Sequence, residues 1–370
     1  MTFLSQYEIN SNFIFLSSKF DQLKPSLVEF LKLEKIHDQV IFLSSGTTSL
    51  TPKGYLFSRE ALFQNAQAVN HHLKLNQDDK WGMTLPAFHV GGISIFFRAF
   101  LLDHSPVDLY PLNPEELVQN ILSHQVTVIS LVPTQIYDLV KSKIKAPAHL
   151  KYVLAGGDFL SQSLEKEALK LGWPILRTFG MSEVGSQLAT AVETGQSELK
   201  ILPIHNLKTD KEKRLWVKTP SLFSAELTYF EKWSLKYSSH SFDSEGYFAL
   251  PDKGVLTNGH LKHLGRYDGK IKVAGRLVDF LELKEKLDTH MLQHNCWGKL
   301  DLSLKSDERK TNLICLEYDR SLNGNIVEDF YREISPIKID EVLPCDFFLR
   351  NELGKKIMRK KDEIQTREGD

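Results

Sequence analysis

Apolar residues along the chain fall into short β-branched runs that alternate with helical patterns. QVIFLSS (39–45), WGMTLP (81–86), VTVISLV (126–132), YVLAGG (152–157) and PILRTFG (174–180) read as strands. Between them, apolar spacing predicts helices from about Arg59 to Leu73, from Gly92 to Leu102, through Thr134 to Val140, and over SQSLEKEALKLG (161–172), which Gly172 closes. The alternation predicts an α/β fold whose strands end in small or polar residues, where such folds bind ligands.

From about Leu199 the pattern shifts to shorter strand-like pieces such as RLWVKTP and EGYFALPD, a β-rich subdomain with its limit near Gly265. Residues 266–370 hold LKEKLDTHML, NLICLEYD and a basic tail, which suit a small, mobile α+β domain joined through GRYDGK. The expected division is therefore a large domain over 1–265 and a small one over 266–370.

Composition narrows the function. At 370 residues, 42% of them hydrophobic, the chain can bury a large core. Its 46 Lys and Arg balance 47 Asp and Glu, so it has no general attraction for nucleic acid or an anionic membrane, and phosphate binding has to be local. Cys296, Cys315 and Cys345 show no metal-ligand spacing. The start, MTFLSQYEINSNFIF, lacks the features of a secretory signal, which suits a cytoplasmic protein. The most apolar helix candidate, GGISIFFRAFLL, is too short for stable membrane insertion and carries Arg98, so it reads as a core helix.

Two segments carry a chemical signal by residue type. SSGTTSLTPKG (44–54) is expected to follow a buried strand and lead into a helix. Ser45, Gly46, Thr47 and Thr48 let backbone N–H groups turn toward an anion, and Lys53 adds a mobile charge; an ordinary turn is the alternative. In RTFGMSEVGSQLAT (177–190) the Ser182 hydroxyl can bond a phosphate oxygen and Glu183 can help hold Mg²⁺, against the alternative of a solvated turn.

In this order the segments resemble the adenylate-forming (AMP-binding) acyl-CoA ligase family, whose signatures are a Ser/Thr-rich loop ending in Pro-Lys-Gly and an aromatic-Gly-Met-Thr-Glu segment. Ser49 stands where the family has glycine, and the loop is one residue longer. The resemblance implies ATP, Mg²⁺ and CoA, and a nucleotide site using Gly156, Gly157, Gly180, Met181 and Ser182. It places His89, in LPAFHVGGISIFF, beside the acyl pocket. It also implies that Asp252 holds the ribose hydroxyls, although Leu250 and Pro251 replace the family's Thr-Gly; that Arg266 contacts ribose or phosphate; and that Asp268 is the hinge. In NELGKKIMRKKDE it assigns the catalytic lysine to Lys356, with Lys355 competing.

The likeness of LPAFHVGG and the compact chain point to 2-succinylbenzoate and menaquinone biosynthesis, with another aryl or fatty acid, or a degenerate non-catalytic nucleotide binder, as alternatives. Family members carry a longer segment before the phosphate loop, so core surface is expected to be exposed or covered by self-association as a homo-oligomer.

Overall fold

Strands Val128–Leu131, Tyr152–Ala155 and Ile175–Met181 begin apolar because both faces are covered, as parallel strands require. In the computed structural model they pair in parallel, Val128 opposite Tyr152 and Val153 opposite Ile175, with helices Pro133–Lys141 and Gln162–Lys170 as the crossovers. The structure describes residues 12–16, 18–45, 52–110, 112–267, 270–273, 276–307, 311–333 and 339–345.

Strand Ile175–Met181 is shared by two kinds of pairing. Its other edge meets Ser186–Thr190 antiparallel, and from there the sheet continues through Leu199–Ile201, His260–Arg266, Phe248–Thr257, Arg214–Lys218 and Asn206–Thr209 to nine strands. The short strands after Leu199 thus divide between this sheet and a second one. The second runs Phe13–Leu16, Gln39–Ser45, Pro52–Ser58, Ala225–Phe230, Lys232–Tyr237.

The second sheet corrects one expectation. Segment 44–54 leads not into a helix but into strand Pro52–Ser58, which pairs antiparallel with Gln39–Ser45, Ser45 opposite Pro52. The reason lies in PKGYLFS, which opens like a turn yet alternates faces: Tyr55 and Phe57 enter one core cluster and Leu56 the other. Ser58 then accepts a hydrogen bond from the Ala61 amide at 3.1 Å and starts helix Arg59–His72. The helix expected from Gly92 begins earlier, as Val90–Phe100, with His89 at its N-cap.

The strands of 270–345 form a separate five-stranded sheet with its own core, in which Leu283, Ile314, Leu316 and Phe330 are buried. Its helix Phe280–Gln293 docks on the start of helix Gln162–Lys170, where the Glu285 carboxylate accepts from the Gln162 amide at 2.7 Å, an anion at a helix N-terminus. Nearby, the Tyr137 and Trp297 rings stack with centroids 5.0 Å apart. Among the described residues no helix is long and apolar enough to cross a membrane.

Two stability predictions follow from these contacts. Asn65, fully buried, donates to the carbonyls of Val184 (3.1 Å) and Gln187 (2.8 Å), tying helix Arg59–His72 to the start of strand Ser186–Thr190 inside the nine-stranded sheet. Asn65→Ala removes both bonds, while the Val184 carbonyl keeps the Ser221 hydroxyl (2.9 Å) and the Gln187 carbonyl keeps His205 Nε2 (3.0 Å), and it is expected to lower unfolding free energy by about 1–3 kcal/mol in urea titrations.

Asp288, at the docking contact, has its carboxyl pushed up to about 7 by burial, reinforced by Glu285 and Asp158 and opposed by Lys284 and the Ser161 hydroxyl. The folded state therefore holds a proton that the unfolded state releases. Stability is expected to fall as pH rises from about 4 to about 7, by up to about 1.4 kcal/mol per unit, and then level off. Asp288→Asn should remove that slope.

Candidate active site

The strand ends of the parallel segment and the start of helix Val90–Phe100 enclose a cavity of about 190 Å³. His89, Gly156, Gly157, Gly180, Met181 and Ser182 all line it. Six of the residues singled out by sequence therefore converge.

Two glycines are required there by close approach. A Cβ on Gly156 would lie 2.4 Å from Thr178 Oγ1, whose hydroxyl donates to the Ala155 carbonyl at 3.0 Å. A Cβ on Gly180 would lie 2.0 Å from the Ser186 carbonyl oxygen, where the register with Ser186–Thr190 shifts. The shift ends the strand, and the turn Ser182–Val184 follows at once, presenting Ser182 to the cavity and Glu183 beside it.

Glu183 is held at both ends. Its carbonyl accepts from the Phe223 amide at 3.0 Å, and its Oε1 accepts from the Tyr55 hydroxyl at 3.0 Å. Burial, with the charges of Glu183 and Glu226, pushes the Tyr55 phenol far above its ordinary range, so it stays protonated. Among the described residues no cluster of three or more His, Cys, Asp or Glu could hold a metal. One carboxylate fits Mg²⁺, which is commonly carried by one or two carboxylates plus substrate phosphates.

Lys53 lies on strand Pro52–Ser58, its Nζ 2.9 Å from Glu226 and 5.5 Å from the Tyr55 ring centroid. Asp252, 4% exposed, accepts from His263 Nε2 at 2.8 Å and lies 3.6 Å from Arg266 Nη1. The His263 ring sits 4.5 Å from Phe179, the residue before Gly180, which links this carboxylate to the same strand end. Strand Gln39–Ser45 ends at Ser45, at the start of the 44–54 segment. Gly46, Thr47, Thr48, Asp268 and Lys356 lie outside the described residues, as does Lys355.

Sequence reading missed Arg98. It is 1% exposed and lines the cavity; its Nη2 donates to Ser186 Oγ at 3.0 Å, and its Cζ lies 5.1 Å from the Trp81 ring centroid. Among the described residues no carboxylate pairs with it, and its Nε has no hydrogen-bond partner. Burial pushes the guanidinium down to about 9, so it remains charged at neutral pH. An uncompensated buried cation costs several kcal/mol, and an anion entering the cavity would offset that cost. The available signal was a single Arg within an otherwise apolar helix, nine residues after His89. Arg98→Met is expected to leave the thermal midpoint unchanged or raise it, whereas a purely structural arginine would lower it.

Comparisons to known proteins bear on the family and the fold. The family model described as AMP-binding enzyme matches residues 28–210. The chain is 31% identical over 150 residues to a 2-succinylbenzoate–CoA ligase of Bacillus pumilus, an alignment covering 40% of this chain and 31% of that one. It is 27% identical over 298 residues to that of Bacillus licheniformis, covering 73% and 60%. It therefore spans no more than about three fifths of either relative.

Among solved structures, o-succinylbenzoate CoA synthetase from Bacillus subtilis in complex with the acyl-adenylate intermediate superposes with TM-score 0.71 at 21% identity, covering 88% of this chain and 68% of that one. The same enzyme in complex with ATP and magnesium ion gives TM-score 0.71 at 20% identity, covering 94% and 78%. The fold is that of adenylate-forming enzymes.

Proposed function

With residues 28–210 belonging to the AMP-binding enzyme family, we infer that the chain activates a carboxylic acid with Mg-ATP as an acyl-adenylate and transfers the acyl group to CoA. The acid proposed is 2-succinylbenzoate. The observation that carries this choice is Arg98, a buried cation without a carboxylate partner among the described residues, on the wall of the cavity that His89 enters. 2-Succinylbenzoate has two carboxylates and an aromatic ring: one carboxylate reacts, and the other has a counter-ion in Arg98. A fatty acid has no group for it.

In the first half-reaction the acid's carboxylate oxygen bonds to the α-phosphorus of ATP and the α–β anhydride breaks, releasing pyrophosphate. Arg98 anchors the second carboxylate, His89 lies beside the reacting one, and the Ser182 hydroxyl and the 44–54 segment with Lys53 meet phosphate oxygens. Glu183 would hold Mg²⁺ with the phosphates, and the ion would supply neutralisation of their charge. Asp252 and Arg266 serve the ribose side. Lys356 opposes the charge that develops on pyrophosphate.

In the second half-reaction the CoA thiol gives its proton to solvent, its sulfur bonds to the acyl carbon, and the bond from that carbon to the phosphate oxygen breaks to release AMP. No protein nucleophile takes part. Residues 266–370 form the small domain, turning about Asp268 between the halves.

The Lys53–Glu226 ion pair favours a second reading, a non-catalytic nucleotide-binding relative, because phosphate would have to displace Glu226. Pyrophosphate release separates the two. The catalytic reading expects release that depends on 2-succinylbenzoate and is abolished in Lys356→Ala. Arg98→Met should cost at least about 100-fold with 2-succinylbenzoate and little with an aryl monoacid such as benzoate, the scale for losing a buried charged contact. Silence across a panel of acids, with ATP still bound, supports the non-catalytic reading.

A further inference from the structure

Tyr55 is not among the residues to which the proposed reaction assigns a role, yet it touches Glu183, the carboxylate proposed to hold the divalent cation. It stands on strand Pro52–Ser58, opposite Phe42 on one neighbouring strand and Glu226 on the other. Its ring is buried against Phe223, centroids 5.2 Å apart and edge-on, and against Phe42 at 6.2 Å. Only the hydroxyl reaches out of this aromatic cluster, to Glu183 Oε1.

Three features separate this contact from an ordinary buried tyrosine finding an acceptor. The acceptor is a carboxylate on the residue that follows the cavity-lining Ser182, not a main-chain carbonyl. The donor is held in place: Tyr55 is buried and its ring packs on Phe223 and Phe42, so the packing fixes where the hydroxyl points. Lys53 also lies against the phenol ring, its Nζ 5.5 Å from the centroid, so Tyr55 touches both Glu183 and the lysine proposed to meet phosphate. No described residue hydrogen-bonds Glu183 Oε2, so one carboxylate oxygen is fixed by Tyr55 while the other is left for a ligand.

We propose that Tyr55 is a positioning residue whose hydroxyl fixes the Glu183 carboxylate in the orientation from which it holds the divalent cation of bound ATP. The proposal rests on the nucleotide-binding reading given above. A carboxylate oriented by a neutral donor loses fewer rotamers when the cation arrives, and such supporting contacts are commonly worth about 10- to 100-fold in metal affinity.

The test is ATP binding by isothermal titration, in Mg²⁺ and in EDTA, on the wild type, Tyr55→Phe, Glu183→Gln and the double variant. Phenylalanine keeps the ring and its packing, so the thermal midpoint of Tyr55→Phe should stay close to wild type. The expected result is that Mg²⁺ tightens ATP binding in the wild type, that Tyr55→Phe loses about tenfold of that gain, and that its affinity in EDTA is unchanged. Glu183→Gln should lose the gain, and adding Tyr55→Phe should cost nothing more.

An unaltered Mg²⁺ gain in Tyr55→Phe, or an equal loss in EDTA, overturns the positioning role and leaves the nucleotide-binding reading standing. A wild type that binds no ATP under either condition overturns both.

Discussion

Strand Ile175–Met181 sets the constraint on which the site depends, because it is where one sheet changes from parallel to antiparallel pairing. Its parallel neighbour ends at Ala155 and leaves Gly156 and Gly157 beyond it, while its antiparallel neighbour is forced out of register at Gly180. A side chain at Gly180 would strike the Ser186 backbone, so the strand can bend there only as glycine. The bend delivers Met181 and Ser182 to the cavity, and the next residue, Glu183, turns its carboxylate to the Tyr55 hydroxyl. Helix Val90–Phe100 closes the other side, supplying His89 from its N-cap and Arg98 from its last turn.

Charge inside that frame is distributed unevenly, and the unevenness carries the chemistry. Lys53 has Glu226, Asp252 has His263 and Arg266, and Glu183 has a neutral hydroxyl. Among the described residues the Arg98 guanidinium meets the Ser186 hydroxyl and the Trp81 ring, and such contacts do not compensate a buried cation as a carboxylate would. The apparent misfit is resolved if the missing anion arrives with the substrate. The same logic explains why Trp81 and Ser186 are spent on Arg98 in a protein interior that could have held an apolar residue.

Much of the fold was legible because its signals are local. The strands at 126–132, 152–157 and 174–180 are short apolar runs with helical patterns between them, and each appears where the pattern places it. Strand Pro52–Ser58 was not legible: it opens with Pro-Lys-Gly, a turn signature, and only its pairing with two other strands makes it extended. His89, Gly156, Gly157, Gly180, Met181 and Ser182 could be read because they sit in ordered motifs. Arg98, Tyr55 and His263 could not, since each earns its place through a partner about ninety or more residues away, or one across a strand pair, and residue type alone does not reveal a missing counter-ion.

The central claim is adenylation of the acid by direct attack on the α-phosphorus, and oxygen labelling tests it. With the carboxylates of 2-succinylbenzoate labelled with ¹⁸O, and Mg-ATP and CoA supplied, mass spectrometry of the nucleotide product reads where the oxygen goes. The account predicts one labelled oxygen in AMP and none in pyrophosphate. Label in a phosphate or pyrophosphate product, with unlabelled nucleotide, would mean attack elsewhere on the triphosphate and would contradict it.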